Sequence, residues 1–201
     1  MVEIGLSECR KVPCDCYVFP ADLFDVPGVE TFDDVEKINA YALVRLSELK
    51  DKCWCVYINS GLSIMFLSVI LAATKLGATV MVKHYDIKQD VYIERPVYWK
   101  SSSKVDDMAV DCLTLCASRH YGLPETVIFE QIPEDKIMDF SWQEQVADTV
   151  LRTYAGKHIK LYITGMTQAL VSVLNIAEEH HISITCMHYD YASESYFPQR
   201  M

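Results

Sequence analysis

The tripeptide His-Tyr-Asp occurs twice, at His84-Tyr85-Asp86 and His188-Tyr189-Asp190, each time at the end of an apolar run. Imidazole transfers protons near neutral pH, a carboxylate orients it or holds a cation, and a phenol ring stacks on a base. His84 and His188 are therefore candidate catalytic residues, with Tyr85, Tyr189, Asp86 and Asp190 as candidate ligand contacts. If the strands run on into the tripeptides, alternation puts His and Asp on one side and Tyr on the other. The structural alternative is a His-Asp turn packing a hairpin arm, with the tyrosine in the core.

A second pair of motifs stands upstream, Ser60-Gly61-Leu62-Ser63 and Thr164-Gly165-Met166-Thr167, the latter followed by Gln168. Each lies between an apolar run and a helical pattern. Glycine lets backbone approach a bound group, hydroxyls cap or donate, and the free N–H groups of a helix start suit phosphate or carboxylate. Ser60, Gly61, Ser63, Thr164, Gly165, Thr167 and Gln168 are thus the candidate ligand-binding residues, and an N-cap with a tight turn is the structural alternative. Neither Gly-x4-Gly-Lys-Ser/Thr nor Gly-x-Gly-x2-Gly is present, which disfavours P-loop hydrolysis and dinucleotide binding. Gly-x-Ser-x-Gly is also absent, so Ser60 or Ser63 with His84 makes a poor nucleophilic pair.

The elements that position these residues alternate. Strands are expected at Cys16–Phe19, Trp54–Ile58 and Thr79–Val82, with helices from Thr31–Asp34 onward and over Leu62–Leu76, and an arm at Asp90–Tyr98. The second half repeats this with strands at Val127–Glu130, Ile159–Ile163 and Ser183–Met187, helices at Ser141–Tyr154 and Thr167–His180, and a final arm at Glu194–Phe197. A helix is expected over Asp106–Arg119. Residues 60–92 align with 164–196 at one offset, setting Gly61 on Gly165, Ser68 on Ser172 and Tyr92 on Tyr196. The expectation is one α/β domain over 1–201: a mostly parallel Rossmann-like sheet with crossover helices. Two similar half-units, about 15–98 and 125–201, are joined by a helical segment at 105–119. Strand-end loops are where open α/β sheets bind ligands, and both loops are expected at one edge.

With 201 residues, 51% of them hydrophobic, the chain can bury a sizeable core, and a net charge of -10 gives no basic field for duplex nucleic acid. The start "MVEIGLSECRKVP" has no signal-peptide core and no run spans a bilayer, so a cytoplasmic protein without membrane contact is expected. Eight cysteines include Cys-x-Cys at Cys14/Cys16 and Cys53/Cys55 but no Cys-x2-Cys knuckle, and read as reduced thiols. His84, Asp86, His188 and Asp190 could surround one ion by type, but no bridging glutamate motif accompanies them. No metal and no cofactor is assigned.

The strand, the Ser/Thr-Gly-x-Ser/Thr turn (Ser60-Gly61-Leu62-Ser63 and Thr164-Gly165-Met166-Thr167) and the helix resemble the CARF ligand-sensing domains of CRISPR-associated antiviral defence and the related ring nucleases. The resemblance implies a homodimer and a cyclic oligoadenylate bound at loops on the sheet's carboxyl edge, sometimes cleaved slowly. The chain departs from that pattern by carrying two half-units and no recognisable RNase domain. The function expected is binding or sensing of a small anionic, cyclic nucleotide-like ligand. The alternatives are a phosphodiesterase using His84 or His188, or an interaction module without a small-molecule site.

Overall fold

A computed structural model describes residues 1–6, 17–20, 26–31, 34–58, 63–99, 111–118 and 122–201. The chain divides into two compact units, Met1–Tyr98 and Trp99–Met201. Unit 1 runs β1 (Val2–Leu6), β2 (Tyr17–Phe19), α1 (Val35–Ser47), β3 (Cys53–Ile58), α2 (Ser63–Leu76), β4 (Thr79–Asp86) and β5 (Val91–Val97). Its sheet has the order β2-β1-β3-β4-β5, parallel except for the β4/β5 hairpin. Unit 2 runs β6 (Asp111–Cys116), β7 (Val127–Phe129), α3 (Phe140–Leu151), β8 (His158–Tyr162), α4 (Thr167–Glu179), β9 (Ser183–Asp190) and β10 (Ser195–Arg200). Its order, β7-β6-β8-β9-β10, is that of unit 1. The fold class read from the sequence, α/β with crossover helices and two like halves, is the one observed.

The segment expected as a helix is not one. Residues 100–110 and 119–121 lie outside the described residues, and Asp111–Cys116 between them is strand β6. "DCLTLC" is too short for periodicity to separate helix from buried strand. As a strand it gains ladder partners on both sides, β8 and β7. β6 is the counterpart of β1, so each repeat opens with a strand that the ranges 15–98 and 125–201 leave out.

The register refines the repeat. Thr79 pairs with Cys53, whereas Ser183, 104 residues on, pairs with His158, which is 105 on from Cys53. The one-residue slip falls in the turn before the second helix. Four residues separate Ile58 from Ser63, and three separate Ile163 from Thr167. Beyond that turn the offset of 104 holds: Tyr85 pairs with Tyr92 as Tyr189 does with Tyr196.

The helix pairs are pinned the same way. In unit 1 the Ser68 hydroxyl donates across to Asn39 Oδ1 at 2.8 Å, and in unit 2 Ser172 donates to Gln143 Oε1 at 2.9 Å. Gln143 is fully buried, and its amide donates to the carbonyls of Lys136 and Ile137. Val80, Val82, His84 and Asp86 point into the buried side of β4, and Trp54 and Val56 share that side by register. Burying such large apolar groups supplies the main driving force for each unit.

Candidate functional site

The His-Tyr-Asp tripeptides lie inside β4 and β9, not beyond their ends. β5 and β10 pair with them out to Asp86–Val91 and Asp190–Ser195, which prolongs each strand by three residues or more. Alternation then takes both imidazoles inward, leaving His84 0% and His188 6% exposed. Burial pushes His84 down to about 3, with the Arg95 charge adding to it. Burial likewise pushes His188 down to about 4, against a hydrogen bond of 2.9 Å between its Nε2 and Gln199 Oε1. Both rings are neutral parts of the packing at neutral pH. The expectation that His84 and His188 exchange protons with a ligand at an open loop is corrected on this ground, because a general base must reach the proton it takes.

Asp86 and Asp190 do not orient the histidines either. Asp86 Oδ1 accepts the N–H groups of Lys88 (2.8 Å) and Gln89 (3.2 Å). Asp190 accepts from Ala192 N–H (2.9 Å), Ser193 N–H (3.2 Å) and the Ser193 hydroxyl, which holds its carboxyl below the usual range. Both carboxylates close the hairpin turn that follows, each of which ends on a left-handed residue, Asp90 at φ 57° and Glu194 at φ 51°. Tyr85 and Tyr189 take the opposite side from the imidazoles, as alternation requires. Tyr85 packs on Tyr92 and donates to Asp90, and Tyr189 packs on Tyr191 and Tyr196.

Of the two hydroxyl-glycine turns, Ser60 and Gly61 lie outside the described residues, and Ser63 opens α2, half-buried. The second turn is well defined. Thr164 is buried, and its hydroxyl accepts the Cys116 N–H at 2.9 Å and donates to the Cys116 carbonyl. That locks the turn to the end of β6 and makes Thr164 a structural residue. Gly165 has φ +82°, and a Cβ there would stand 2.8 Å from Cys116 Sγ. Only glycine meets both conditions without strain. Met166, extended, caps α4, and its N–H donates to the Cys116 sulfur, whose thiol burial raises to about 11.

α4 thus begins without a side-chain cap, and its first intrahelical donors are Ala169 and Leu170. The N–H groups of Thr167 and Gln168 precede them, with both side chains half-buried. At this part of the expected site peptide dipoles and amide hydrogens stand at the carboxyl edge of the sheet. A cleft of about 370 Å³ opens separately between the end of β6 and residues 122–127, lined by Thr114, Ser118, Pro124 and Glu125 among others, with no lining residue from the Gly165 turn or α4. Among the described residues, no three His, Cys, Asp or Glu side chains converge as a metal set.

Cys116, Arg95 and Gln199 were not singled out from sequence. Cys116 was hidden by the helical reading of its segment, whereas Arg95 and Gln199 stand at one repeat offset on the arms beside the histidines, a signal that was available.

No protein-family model matches the chain, and no curated protein does. The likeness is to solved structures. The SAVED/CARF-domain receptor Cap4 of Acinetobacter baumannii with the cyclic trinucleotide 2'3'3'-cAAA matches 99% of this chain and 50% of its own, at TM-score 0.54 and 10% identity. Cap4 of Moraxella osloensis matches 99% and 49%, at TM-score 0.53 and 10% identity. The fold of this chain, α/β with two Rossmann-like halves, is structurally related to that of the SAVED/CARF-domain receptors. The chain spans about half the length of the Cap4 receptors it matches. At 10% identity the likeness to Cap4 shows shared architecture, and Cap4's ligand is a property of Cap4. Among the described residues no helix is long and apolar enough to cross a membrane.

Proposed function

We propose that the chain senses a small anionic cyclic oligonucleotide without hydrolysing it. The observation that carries this is the start of α4, where the turn at Gly165 leaves the N–H groups of Thr167 and Gln168 ahead of the first helical bonds. Such a terminus holds a phosphate oxygen without any cationic motif. The structural likeness to Cap4, a SAVED/CARF-domain receptor solved with a cyclic trinucleotide, supports the class of ligand. The hydrolase reading loses its support with the burial of His84 and His188.

The test is thermal shift and calorimetry of the full chain against 2'3'3'-cAAA, cyclic dinucleotides and mononucleotides, followed by chromatography of the ligand. A rise in Tm with concentration for a cyclic oligonucleotide, and its recovery intact, is expected. No shift with folded protein would overturn the reading, and loss of the ligand would turn it into a hydrolase. Sedimentation with and without ligand tests the homodimer that the resemblance implies.

A further inference from the structure

The tyrosines of the two units are equivalent in place and different in circumstance. In unit 2 four rings form a chain, with centroids 4.8 Å apart for Tyr162 and Tyr196, 5.1 Å for Tyr196 and Tyr189, and 4.9 Å for Tyr189 and Tyr191. Tyr162, Tyr189 and Tyr196 share one sheet face by register, and Tyr162 is the last residue of β8 before the Gly165 turn. Unit 1 repeats three of them as Tyr57, Tyr85 and Tyr92. There the Tyr57 hydroxyl lies among Glu3 (3.0 Å) and Lys83 (3.1 Å), and Lys83 is neutralised by Glu3 and Glu94.

Unit 2 has Cys112, Met187 and Pro198 where unit 1 has Glu3, Lys83 and Glu94. Its face instead carries Lys160 and Arg200, which the register sets in one row across Thr185, two residues or roughly 7 Å below Tyr162 and four residues or roughly 13 Å below Tyr189 and Tyr196. Neither cation is in an ion pair among the described residues. The Tyr196 hydroxyl is buried and without a hydrogen-bond partner. A buried hydroxyl left so is a cost that a phenylalanine would avoid, unless something comes to meet it.

We propose that this face of unit 2 seats one nucleotide of the ligand, its base against the rings of Tyr162 and Tyr196 with a polar edge on the Tyr196 hydroxyl, and its phosphate toward Lys160 and Arg200. The inference rests on the cyclic-oligonucleotide reading above. A nucleotide is the class that uses all three features together: a flat ring for the aromatic chain, a hydrogen-bonding edge for the hydroxyl, and negative charge for two unneutralised cations. Unit 1 offers rings but no net positive charge on the equivalent face, so the seat belongs to unit 2 alone.

The test is calorimetry of the full chain with 2'3'3'-cAAA. Tyr196→Phe keeps the ring and loses the hydroxyl. It is expected to weaken binding about fivefold while leaving Tm equal or higher, which a purely structural hydroxyl would not do. Lys160→Gln with Arg200→Gln is expected to weaken binding about tenfold and to flatten its dependence on salt. Tyr92→Phe, the counterpart in unit 1, leaves affinity unchanged. Wild-type affinity in both unit 2 variants would overturn the nucleotide seat while the sensing function stands. Failure of the wild type to bind would remove both.

Discussion

Units 1 and 2 share strand order, hairpins and a serine-mediated helix contact, yet they treat polar groups in opposite ways. Unit 1 gathers charge within its sheet: Lys83 Nζ lies 3.0 Å from Glu3 and 3.2 Å from Glu94, and Arg95 is buried beside His84. Unit 2 replaces those positions with Met187, Cys112, Pro198 and Gln199, satisfies His188 with a neutral amide, and keeps its cations for the surface. The repeated backbone therefore constrains geometry and leaves electrostatics free to diverge.

The largest contrast can be drawn out by acid. Both histidines have folded values depressed below an unfolded value near 6.5, so the unfolded chain binds more protons between about 6.5 and 4, and stability falls as pH falls through that window. By pH 5 each histidine costs about 2 kcal/mol. The Tm against pH should drop accordingly, and His188→Gln should remove about half of the slope. An unchanged slope would mean that the two rings are not equivalent.

Next in size is the turn of unit 2. Gly165→Ala meets both a left-handed φ and the Cys116 sulfur, and should destabilise by about 3 kcal/mol, with loss of ligand binding. Gly156→Ala, at φ +71° with open space around it, should cost about 1 kcal/mol by denaturant unfolding. Similar costs at both positions would remove the claim that Cys116 abuts the turn.

The paired helices give a smaller difference. Ser172→Ala strands the fully buried Gln143 Oε1 and should cost about 2 kcal/mol. Ser68→Ala leaves Asn39, which is half-buried, and should cost about 1 kcal/mol. Smallest is Lys83→Met, which imports the unit 2 residue into unit 1. With Glu94 half-exposed the ion pairs are screened, so a loss of about 1 kcal/mol is expected, shrinking in high salt.

Much of this architecture was legible because the repeat is written in residues that fold alike. The Tyr pairs, the Gly turns and Ser68 with Ser172 all fall at one spacing, and the alternation of strand and helix sets a parallel sheet. What escaped was decided by partners distant in sequence. Val2–Leu6 and Asp111–Cys116 are too short to announce themselves, and become strands because β3 and β8 offer them ladders. The histidines were placed at open ends because the hairpin arms' reach along β4 and β9 is not visible in local pattern. Thr164 resembled a ligand contact because nothing nearby in sequence points to Cys116, 48 residues away.

Gln143 joins three parts of unit 2, the middle of α4 through Ser172 and the carbonyls of Lys136 and Ile137 through its amide. Ser172 stands five residues from Thr167, little more than one turn along a stiff rod. An axial shift at the tip of that rod would strain the Ser172–Gln143 contact, and the expected outcome is altered deuterium uptake at the surface strip around Glu134–Lys136. Uptake there measured with and without 2'3'3'-cAAA checks this, and an unchanged strip in a chain that binds the ligand would show that the hydrogen-bonded contact takes up no strain.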